Sequence, residues 1–284
     1  MGEKIVSMEH ITKEFPGVKA LDDVHFELEA GEVMALLGEN GAGKSTTIRA
    51  ILGMIRPDAG QISVLGHDNS RNFAPVREEI GVVLDEGGLP SCLNAAQLGK
   101  VMAGIYKNWD AAAYEGYLKK LSLPKDKAYK DFSRGMKMKQ AIAVALSHHP
   151  RLLVLDEATS GLDPVVRDEV VEIFSDFTRD EEHAVLISSH IVSDLEKICD
   201  YVAFLHKGRL LLCEEKDALR DQYGLAQLSR ADFAALDEAA VIGHRATPYG
   251  VTAIVRRDSV PSELALEPVS IEDLFILMVK EGEQ

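Results

Sequence analysis

A glycine-rich segment, Gly38–Thr46, carries the residue types that hold a phosphate chain. Its letters GENGAGKST fit the pattern G-x-x-x-x-G-K-[ST], and an apolar run leads directly into it. Glycines let backbone N–H groups close around phosphate oxygens, the amine of Lys44 meets the β- and γ-phosphates, and the hydroxyl of Ser45 ligates Mg²⁺. The start of the following helix adds a positive dipole. This strand–loop–helix setting favours a nucleotide site over a glycine-rich turn with a surface lysine.

Two carboxylates, Asp156 and Glu157, follow the apolar run Leu152–Leu155. The carboxyl ends of parallel strands face the crevice in which such sheets bind ligands, so both residues should lie near the phosphate loop. Adjacent residues on an extended strand point to opposite faces, which predicts separate roles. We expect Asp156 to hold Mg²⁺, directly or through water, and Glu157 to polarise the attacking water.

Two further positions have chemical interest but an ordinary structural alternative. Ser133-Arg134-Gly135 opens a predicted helix, Met136–Ser147, and a serine there is either a simple N-cap or part of an anion site. His190 follows the strand-like run Ala184–Ile187 and could reach a γ-phosphate. A single histidine after a strand is more often structural.

The elements that must position these residues indicate an α/β fold. Val24–Leu28 alternates apolar and polar residues, which predicts an edge strand, whereas Val33–Leu37 is continuously apolar, which predicts a central one. Leu152–Leu155 and Ala184–Ile187 are also continuously apolar, and each follows a helical pattern. Such runs are typical of a parallel sheet covered by helices on both faces.

The rest of the chain predicts an inserted lobe and a small appendage. Helical spacing at Leu93–Tyr106 and Trp109–Leu121 indicates a helical lobe over about 86–134. A hairpin at 202–213 and a short helix, Glu215–Gln222, end the nucleotide-binding pattern. Residues 223–284 then restart as a small α+β unit, with a strand at 251–255 and a last helix capped at Ser270.

Composition narrows the classes of partner. The chain of 284 residues has 31 Lys+Arg against 46 Asp+Glu, a net charge of −15, which disfavours nucleic acid as a partner. Its apolar runs are far shorter than the roughly 20 residues that span a bilayer, and Met1–Lys4 does not begin a signal peptide. We therefore expect a cytosolic chain that meets a membrane only through another subunit. The three cysteines, Cys92, Cys199 and Cys213, show no metal-site or redox spacing and read as ordinary thiols.

In this order and spacing, the motifs resemble those of the ATP-binding subunit of ABC transporters, across residues 3–220. Gly38–Thr46 resembles the Walker A motif, Leu152–Asp156 Walker B, and Glu157 the catalytic glutamate. Phe132–Met136 is similar to the signature motif and Ser160–Asp163 to the D-loop. His190 matches the switch histidine, and Phe15 falls where the family has an aromatic that stacks on adenine, although a core phenylalanine on an edge strand is the alternative.

The resemblance implies a site and its ligands, ATP and Mg²⁺. The implied catalytic residues are Lys44, Glu157 and His190, and the implied metal ligands are Ser45, Asp156 and Asp85. The implied nucleotide-binding residues are Phe15, Gly38, Glu39, Asn40, Gly41, Ala42, Gly43, Lys44, Ser45, Thr46, Ser133, Gly135 and Asp163.

It also implies an architecture and an assembly. Residues 1–222 would be a P-loop NTPase (RecA-like) nucleotide-binding domain with an antiparallel β subdomain, and residues 223–284 an accessory domain. Two subunits, in a homodimer or heterodimer, would sandwich ATP between the Walker motifs of one and the signature helix of the other. The dimer would sit at the cytoplasmic face of the membrane and drive a separate permease, in the manner of bacterial exporters of the type-2 permease branch. Coupling to the permease would involve Leu89–Tyr106 and the loop at Asp85-Glu86.

Three positions depart from the family pattern. Asp85 stands where glutamine is usual, and an ionised aspartate can ligate a metal but cannot donate a hydrogen bond. Either the glutamine's role is altered here, or the matching position is Glu86. The signature keeps its serine and second glycine but has Phe132, Arg134 and Met136 elsewhere, and Arg134 is either an added phosphate contact or a solvated charge. Ala158 replaces a common proline, from which we expect little.

Two alternative functions are less well supported. A non-transport ABC ATPase acting on ribosomes or DNA would carry two cassettes with a charged linker, or a long heptad insertion, and this chain has neither. A P-loop kinase would need an acceptor pocket and a lid, and it would leave Ser133, Gly135 and His190 unexplained.

Overall fold

The computed structural model of the protein describes residues 2–71, 73–84, 88–159 and 162–281. Strands and helices follow one another throughout these ranges. The strands in chain order are β1 (Lys4–Phe15), β2 (Val18–Glu29), β3 (Val33–Leu37), β4 (Ala59–Val64), β5 (His67–Asp68), β6 (Ile80–Val83), β7 (Leu152–Asp156), β8 (Ala184–Ser189), β9 (Tyr201–His206), β10 (Arg209–Glu215), β11 (Tyr223–Leu228), β12 (Val241–Thr247) and β13 (Gly250–Arg256). The helices are α1 (Lys44–Ile51), α2 (Ala95–Met102), α3 (Ala111–Lys120), α4 (Arg134–Leu146), α5 (Pro164–Phe177), α6 (Val192–Leu195), α7 (Lys216–Gln222), α8 (Arg230–Ala234) and α9 (Ile271–Glu281).

The central sheet has the order β10-β9-β3-β8-β7-β6, and its strands are parallel except β10, which pairs with β9 as a hairpin. Every residue of β3, β7 and β8 is buried. One face of the sheet packs with α4 and α5, and the other packs with α1 and with the strands β1, β2 and β4. The predicted α/β class and the predicted central place of Val33–Leu37 are therefore confirmed. The carboxyl ends of β3, β7 and β8 lie side by side.

A second, antiparallel sheet has the order β2-β1-β4-β5. The predicted edge strand at Val24–Leu28 is confirmed as part of β2, which lies at the edge of this separate sheet. Its alternation is visible in burial, since Val24, Phe26 and Leu28 face the core while His25 and Glu27 are exposed. Register shifts interrupt the pairing of β1 with β2, including one between Met8 and Ile11.

The inserted lobe contains helices that are shorter than the helical spacing predicts. Asn94 caps α2 in a capping box with Gln97, and the chain leaves the helix after Met102. Asp110 caps α3 by accepting hydrogen bonds from the next residues' N–H groups. The hydroxyl of Tyr114 accepts from Gln140 Nε2 of α4 at 2.6 Å, which links α3 to α4.

The C-terminal residues form a three-stranded sheet, β11-β13-β12, with α8 and α9 beside it. Ser270 caps α9, as predicted, because its Oγ accepts from Asp273 N. Leu274 of α9 and Ile254 of β13 belong to the same apolar core as residues of β3 and β7. The rings of Phe275 and Phe204 meet edge to face with centroids 5.2 Å apart. The C-terminal segment thus extends the main core.

Within the described ranges, no helix has the length and apolar character that crossing a membrane requires.

Candidate active site

The phosphate loop leaves the carboxyl end of β3 and turns into α1. Gly41 and Gly43 have φ values of 85° and 112°, in the left-handed region that favours glycine. A Cβ on Gly43 would lie 2.8 Å from the carbonyl oxygen of Ala20, so the loop packs too closely there for any side chain. The backbone therefore explains why glycine stands at these two positions of the predicted loop.

The outer part of the loop is held by the β9–β10 turn. Gly208 N donates to the carbonyl of Ala42 at 2.9 Å, and Glu39 Oε1 lies 2.9 Å from His206 Nδ1. Gly208 in turn accepts from Asp22 N, and hydrogen bonds from Lys19 and Arg209 hold the pKa of the Asp22 carboxyl below its ordinary value. Asn40 is exposed on the loop, and Thr46 is half-buried in the first turn of α1.

Lys44 is buried at the base of the loop, with 5% of its side chain exposed. Its Nζ donates to the carbonyl oxygens of Gly38 at 2.8 Å and Glu39 at 3.2 Å, and lies 3.3 Å from Glu157 Oε1. The ammonium group is therefore placed among oxygen atoms inside the loop, where a phosphate oxygen would also find it.

Asp156, the last residue of β7, faces the start of α1. Its Oδ1 accepts from Ser45 Oγ at 3.2 Å and from Ser188 Oγ at 2.6 Å. The site thus offers a carboxylate and a hydroxyl oxygen next to a phosphate loop. Hard oxygen donors of this kind, few in number and beside phosphates, suit Mg²⁺.

Glu157 also points toward the phosphate loop, which corrects the expectation that adjacent carboxylates would face opposite ways. The strand ends at Asp156, and Glu157 has a left-handed backbone with φ 55°, so the alternation of an extended strand no longer applies. Its Oε1 contacts Lys44, and its Oε2 lies 2.6 Å from Nδ1 of His190. Lys44, Glu157 and His190 therefore form one continuous chain of polar contacts.

Ser188 is a site residue that sequence reasoning missed. It is fully buried near the end of β8, where its hydroxyl donates to Asp156 and accepts from the Glu157 N–H at 3.1 Å. One side chain thereby contacts the carboxylate of Asp156 and the backbone of Glu157. The signal in the sequence was a pair of serines ending an otherwise apolar strand, but its partners are defined only by the packing of β7 beside β8.

Ser133, Gly135 and Asp163 lie at two neighbouring helix starts. Ser133 Oγ accepts from Met136 N at the start of α4, and Asp163 Oδ1 accepts from Val166 N at the start of α5. A Cβ on Gly135 would lie 3.4 Å from Val166, so the two starts pack together. Among the described residues, Ser133 accepts hydrogen bonds from Met136 N and Lys137 N of its own helix start, and it makes none to the phosphate loop.

Two remaining candidates stand apart from this group. Phe15 ends β1 with 44% of its surface exposed, and the amine of Lys13 lies 5.4 Å from its ring centroid. It is a surface aromatic, which differs from the alternative of a core phenylalanine. Asp85, with Glu86, Ser160 and Gly161, lies outside the described residues.

Comparison with known proteins identifies relatives of this chain. A family model described as ABC transporter matches residues 21–160. The chain is 34% identical over 212 residues to the bacitracin transport ATP-binding protein BcrA of Bacillus licheniformis, covering 73% of this chain and 68% of that protein. It is 33% identical over 215 residues to the lantibiotic transport ATP-binding protein SrtF of Streptococcus pyogenes, covering 75% and 92%.

Solved structures agree with these relatives. An ATP-binding subunit of an ABC transporter superposes with a TM-score of 0.71 at 29% identity, covering 77% of this chain and 92% of that one. A dimeric ATP-binding cassette in a post-hydrolysis state, bound to ADP and Pi, superposes with a TM-score of 0.67 at 20% identity, over 74% of this chain and 98% of that one. The second likeness shows a shared fold.

Proposed function

The chain belongs to the ABC transporter family of ATP-binding proteins, and from this premise we propose that it is the ATP-hydrolysing subunit of an exporter whose membrane part is a separate polypeptide. The observation that carries the proposal is the chain of contacts from Lys44 through Glu157 to His190, beside the pair of Ser45 and Asp156. A lysine that neutralises phosphate charge and a carboxylate that orients water are parts that phosphoryl transfer to water uses, and the imidazole of His190 lies beside that carboxylate.

Each of these three residues, Lys44, Glu157 and His190, has a role that its position supports. The Lys44 amine and the loop N–H groups would hold the β- and γ-phosphates and stabilise the charge that develops on them. Glu157 would accept a proton from the attacking water, and its hydrogen bond with His190 holds the carboxylate in place. His190 is 40% exposed at its side chain, so its free nitrogen can meet a γ-phosphate.

Magnesium would be held by Ser45 and Asp156, whose oxygens already converge. When bound, the ion would neutralise charge on the β- and γ-phosphates. The protein also orients the Asp156 carboxylate, because Ser188 donates a hydrogen bond to it. Asp85 stays a proposed third ligand from the family resemblance.

A dimer would complete the site. Ser133 and Gly135 present the N–H groups of the α4 start at a surface rather than to the phosphate loop, so they suit an anion carried by a second subunit. Asp163, at the adjoining helix start, would lie at the same interface. Loss of the γ-phosphate would remove the bridging anion and loosen the pair, whether homodimer or heterodimer.

The permease would meet the helical lobe, at the cytoplasmic face of the membrane. Val101, in the last turn of α2, and Ile105, just beyond that helix, are apolar yet 42% and 61% exposed, as a docking surface would require. The two relatives named above are ATP-binding proteins for the transport of bacitracin and of a lantibiotic, which supports a role in transport. A role on ribosomes or DNA is disfavoured by the net charge of −15.

Residues 223–284 would be an accessory domain added to a nucleotide-binding domain of residues 1–222. The family match and the phosphate-binding motifs all lie in the first part. The second part packs on α6, which follows His190 directly. We assign it a regulatory or dimer-contacting role.

The test uses Glu157→Gln, which keeps the shape of the side chain but removes the base. We expect ATP turnover to fall by at least about 100-fold, because the water loses its proton acceptor. ATP with Mg²⁺ should then hold the protein as a dimer, measured by size-exclusion chromatography with light scattering. Glu182→Gln, an exposed carboxylate in a turn, is the matched control. Full turnover in Glu157→Gln, or a monomer in ATP and Mg²⁺, would contradict the proposal.

A further inference from the structure

Three exposed side chains converge on the outer face of the antiparallel sheet. His10 Nδ1 of β1 lies 2.8 Å from Asp23 Oδ1 of β2, and the rings of His10 and His25 have centroids 5.5 Å apart. One ligand atom from each of the three residues lies within 4.8 Å of the other two. None of these residues belongs to the phosphate-binding motifs.

The irregular pairing of β1 with β2 explains why they meet. Met8 pairs with Phe26 and Ile11 with Val24, so two residues of β1, Glu9 and His10, stand opposite the single residue His25. Such a bulge redirects a side chain of the longer strand. His10 and Asp23 both take a left-handed backbone, with φ values of 53° and 59°. His10 is thereby placed beside the face that Asp23 and His25 share.

The solvent side of the strand is set by burial. Val24 and Phe26 are 0% and 5% exposed, so the residue between them, His25, points outward. Asp23, whose left-handed backbone departs from the alternation, is exposed as well. The hydrogen-bonded pair of His10 and Asp23 is itself largely exposed, at 74% and 65% of their side chains. An exposed pair of this kind contributes little to stability, so pairing alone gives the arrangement no strong advantage.

We propose that His10, Asp23 and His25 form a binding site for a divalent transition metal, with Zn²⁺ as the best match. Two imidazole nitrogens and one carboxylate oxygen are a donor set that zinc accepts. Tetrahedral ligands at about 2.0–2.2 Å from the ion lie about 3.4 Å from one another, which exposed side chains reach by small rotations. The fourth position faces solvent and takes a water molecule.

The site is separate from the magnesium site proposed at the phosphate loop. Ser45 and Asp156 offer hard oxygen atoms only, whereas this cluster offers two nitrogens, which Mg²⁺ does not favour. A zinc ion here would tie the β1 bulge to β2. The same two strands continue to the turn before which Phe15 stands.

The test is calorimetric titration of the full chain with ZnCl₂, without nucleotide or Mg²⁺. We expect the wild type to bind zinc and the variants His10→Ala, Asp23→Asn and His25→Ala each to lose at least about tenfold in affinity, because each removes one of three ligands. His67→Ala is the matched control, since His67 is an exposed histidine of the same sheet outside the cluster. It should bind zinc as the wild type does.

Two results would overturn the proposal. One is a wild type that binds no zinc, or a His25→Ala variant that binds it unchanged. The other is zinc binding lost in His190→Ala but kept in His10→Ala, which would place the ion at the phosphate loop. Thermal unfolding of each variant in the absence of metal checks that the substituted chains are folded. ATP turnover plays no part in the readout, so failure here leaves the proposed ATPase site untouched.

Discussion

At the scale of single residues, the two site carboxylates depend on a neighbour that has no role in contacting nucleotide. Ser188 donates to Asp156 and accepts from the backbone of Glu157, and it is fully buried. A buried polar group that loses its partner costs about 1–3 kcal/mol. Ser188 is therefore a positioning residue for the Asp156 carboxylate and for the backbone of Glu157.

We predict that Ser188→Ala lowers kcat about tenfold with little change in the KM for ATP, as a loss of about 1.4 kcal/mol in orientation would give. Steady-state phosphate release measures both constants. Ser188→Thr keeps the hydroxyl and should restore most of the rate, and Ser175→Ala, on the exposed side of α5, should be neutral. An alanine variant with unchanged kcat would show that β7 alone orients Asp156 and Glu157.

A second prediction concerns His148, which is fully buried at the junction of the lobe and the core. Its ring stacks on Tyr106 with centroids 4.1 Å apart, and its Nδ1 bonds the carbonyl of Glu78. Burial lowers its pKa below the ordinary 6.5, opposed by the Glu78 contacts and reinforced by the neighbouring His149.

The direction of the pH dependence follows from the protonation of His148 in the unfolded chain. Below pH 6.5 the unfolded imidazole binds a proton while the buried one stays neutral, so the free energy of unfolding falls as pH falls, by up to about 1.4 kcal/mol per pH unit. Urea unfolding at pH 7 and pH 5 should show a smaller fall for His148→Gln than for wild type. His67→Gln is the exposed control. Equal slopes for wild type and His148→Gln would contradict the assignment to His148.

The residues that the sequence identified share a local signal. Lys44 and Ser45 belong to one contiguous motif, and Asp156 ends a continuously apolar strand, so chain neighbours sufficed to place them. The direction of Glu157 and the role of Ser188 depend on a left-handed residue and on a neighbouring strand. Neither can be derived from nearest neighbours, because both arise from tertiary packing.

At the scale of elements, the strands that could be predicted are those marked by a pattern of adjacent residues. β3 and β7 are buried on both faces and were visible as apolar runs. β1 was missed, because its register shifts break the alternation that marks a half-buried strand. The predicted helix at Leu93–Tyr106 is longer than α2 because the pattern continues past the point where the helix ends, at Met102.

One element-scale prediction concerns the joint behind His190. Glu196 Oε1, just after α6, accepts from Arg220 Nη2 of α7 at 2.9 Å and from Ile271 N at the start of α9 at 3.4 Å. A single carboxylate therefore links three helices. We expect this joint to hold α6 in place and, through it, the segment that carries His190.

Glu196→Ala should lower the free energy of unfolding by about 1 kcal/mol and speed amide hydrogen exchange at the start of α9. Asp217→Ala removes an exposed partner of the same Arg220, 3.6 Å away, and is the matched control that should change neither. Exchange measured by mass spectrometry resolves the α9 segment. Identical exchange in both variants would mean that apolar contacts alone hold α9.

At the scale of the whole molecule, the C-terminal segment and the nucleotide-binding part share one apolar core. Leu195 of α6, Val202 of β9 and Leu274 of α9 belong to the same cluster of buried side chains. Removing the segment would expose several such side chains, each worth about 1.5–3 kcal/mol. The chain should therefore unfold as one unit.

We predict that a chain ending at Gln222 melts more than about 10 °C below the full chain, since several kilocalories of burial are lost. Differential scanning calorimetry of the full chain should show one transition. A chain ending at Arg256 keeps the three-stranded sheet and removes α9, and should fall between the two. A truncated chain with the melting temperature of the full chain would show that residues 223–284 fold independently.

The contact between Lys44 and Glu157 bears on how the site is loaded. A phosphate that enters the loop meets the Lys44 ammonium group, which is already paired with the Glu157 carboxylate. Binding therefore replaces one anion beside Lys44 with another. The affinity for nucleotide then depends on the difference in free energy between the Lys44–phosphate ion pair and the Lys44–Glu157 ion pair. The displaced carboxylate, that of Glu157, is the one assigned to deprotonate water. Binding of the nucleotide and release of this base from Lys44 therefore occur together.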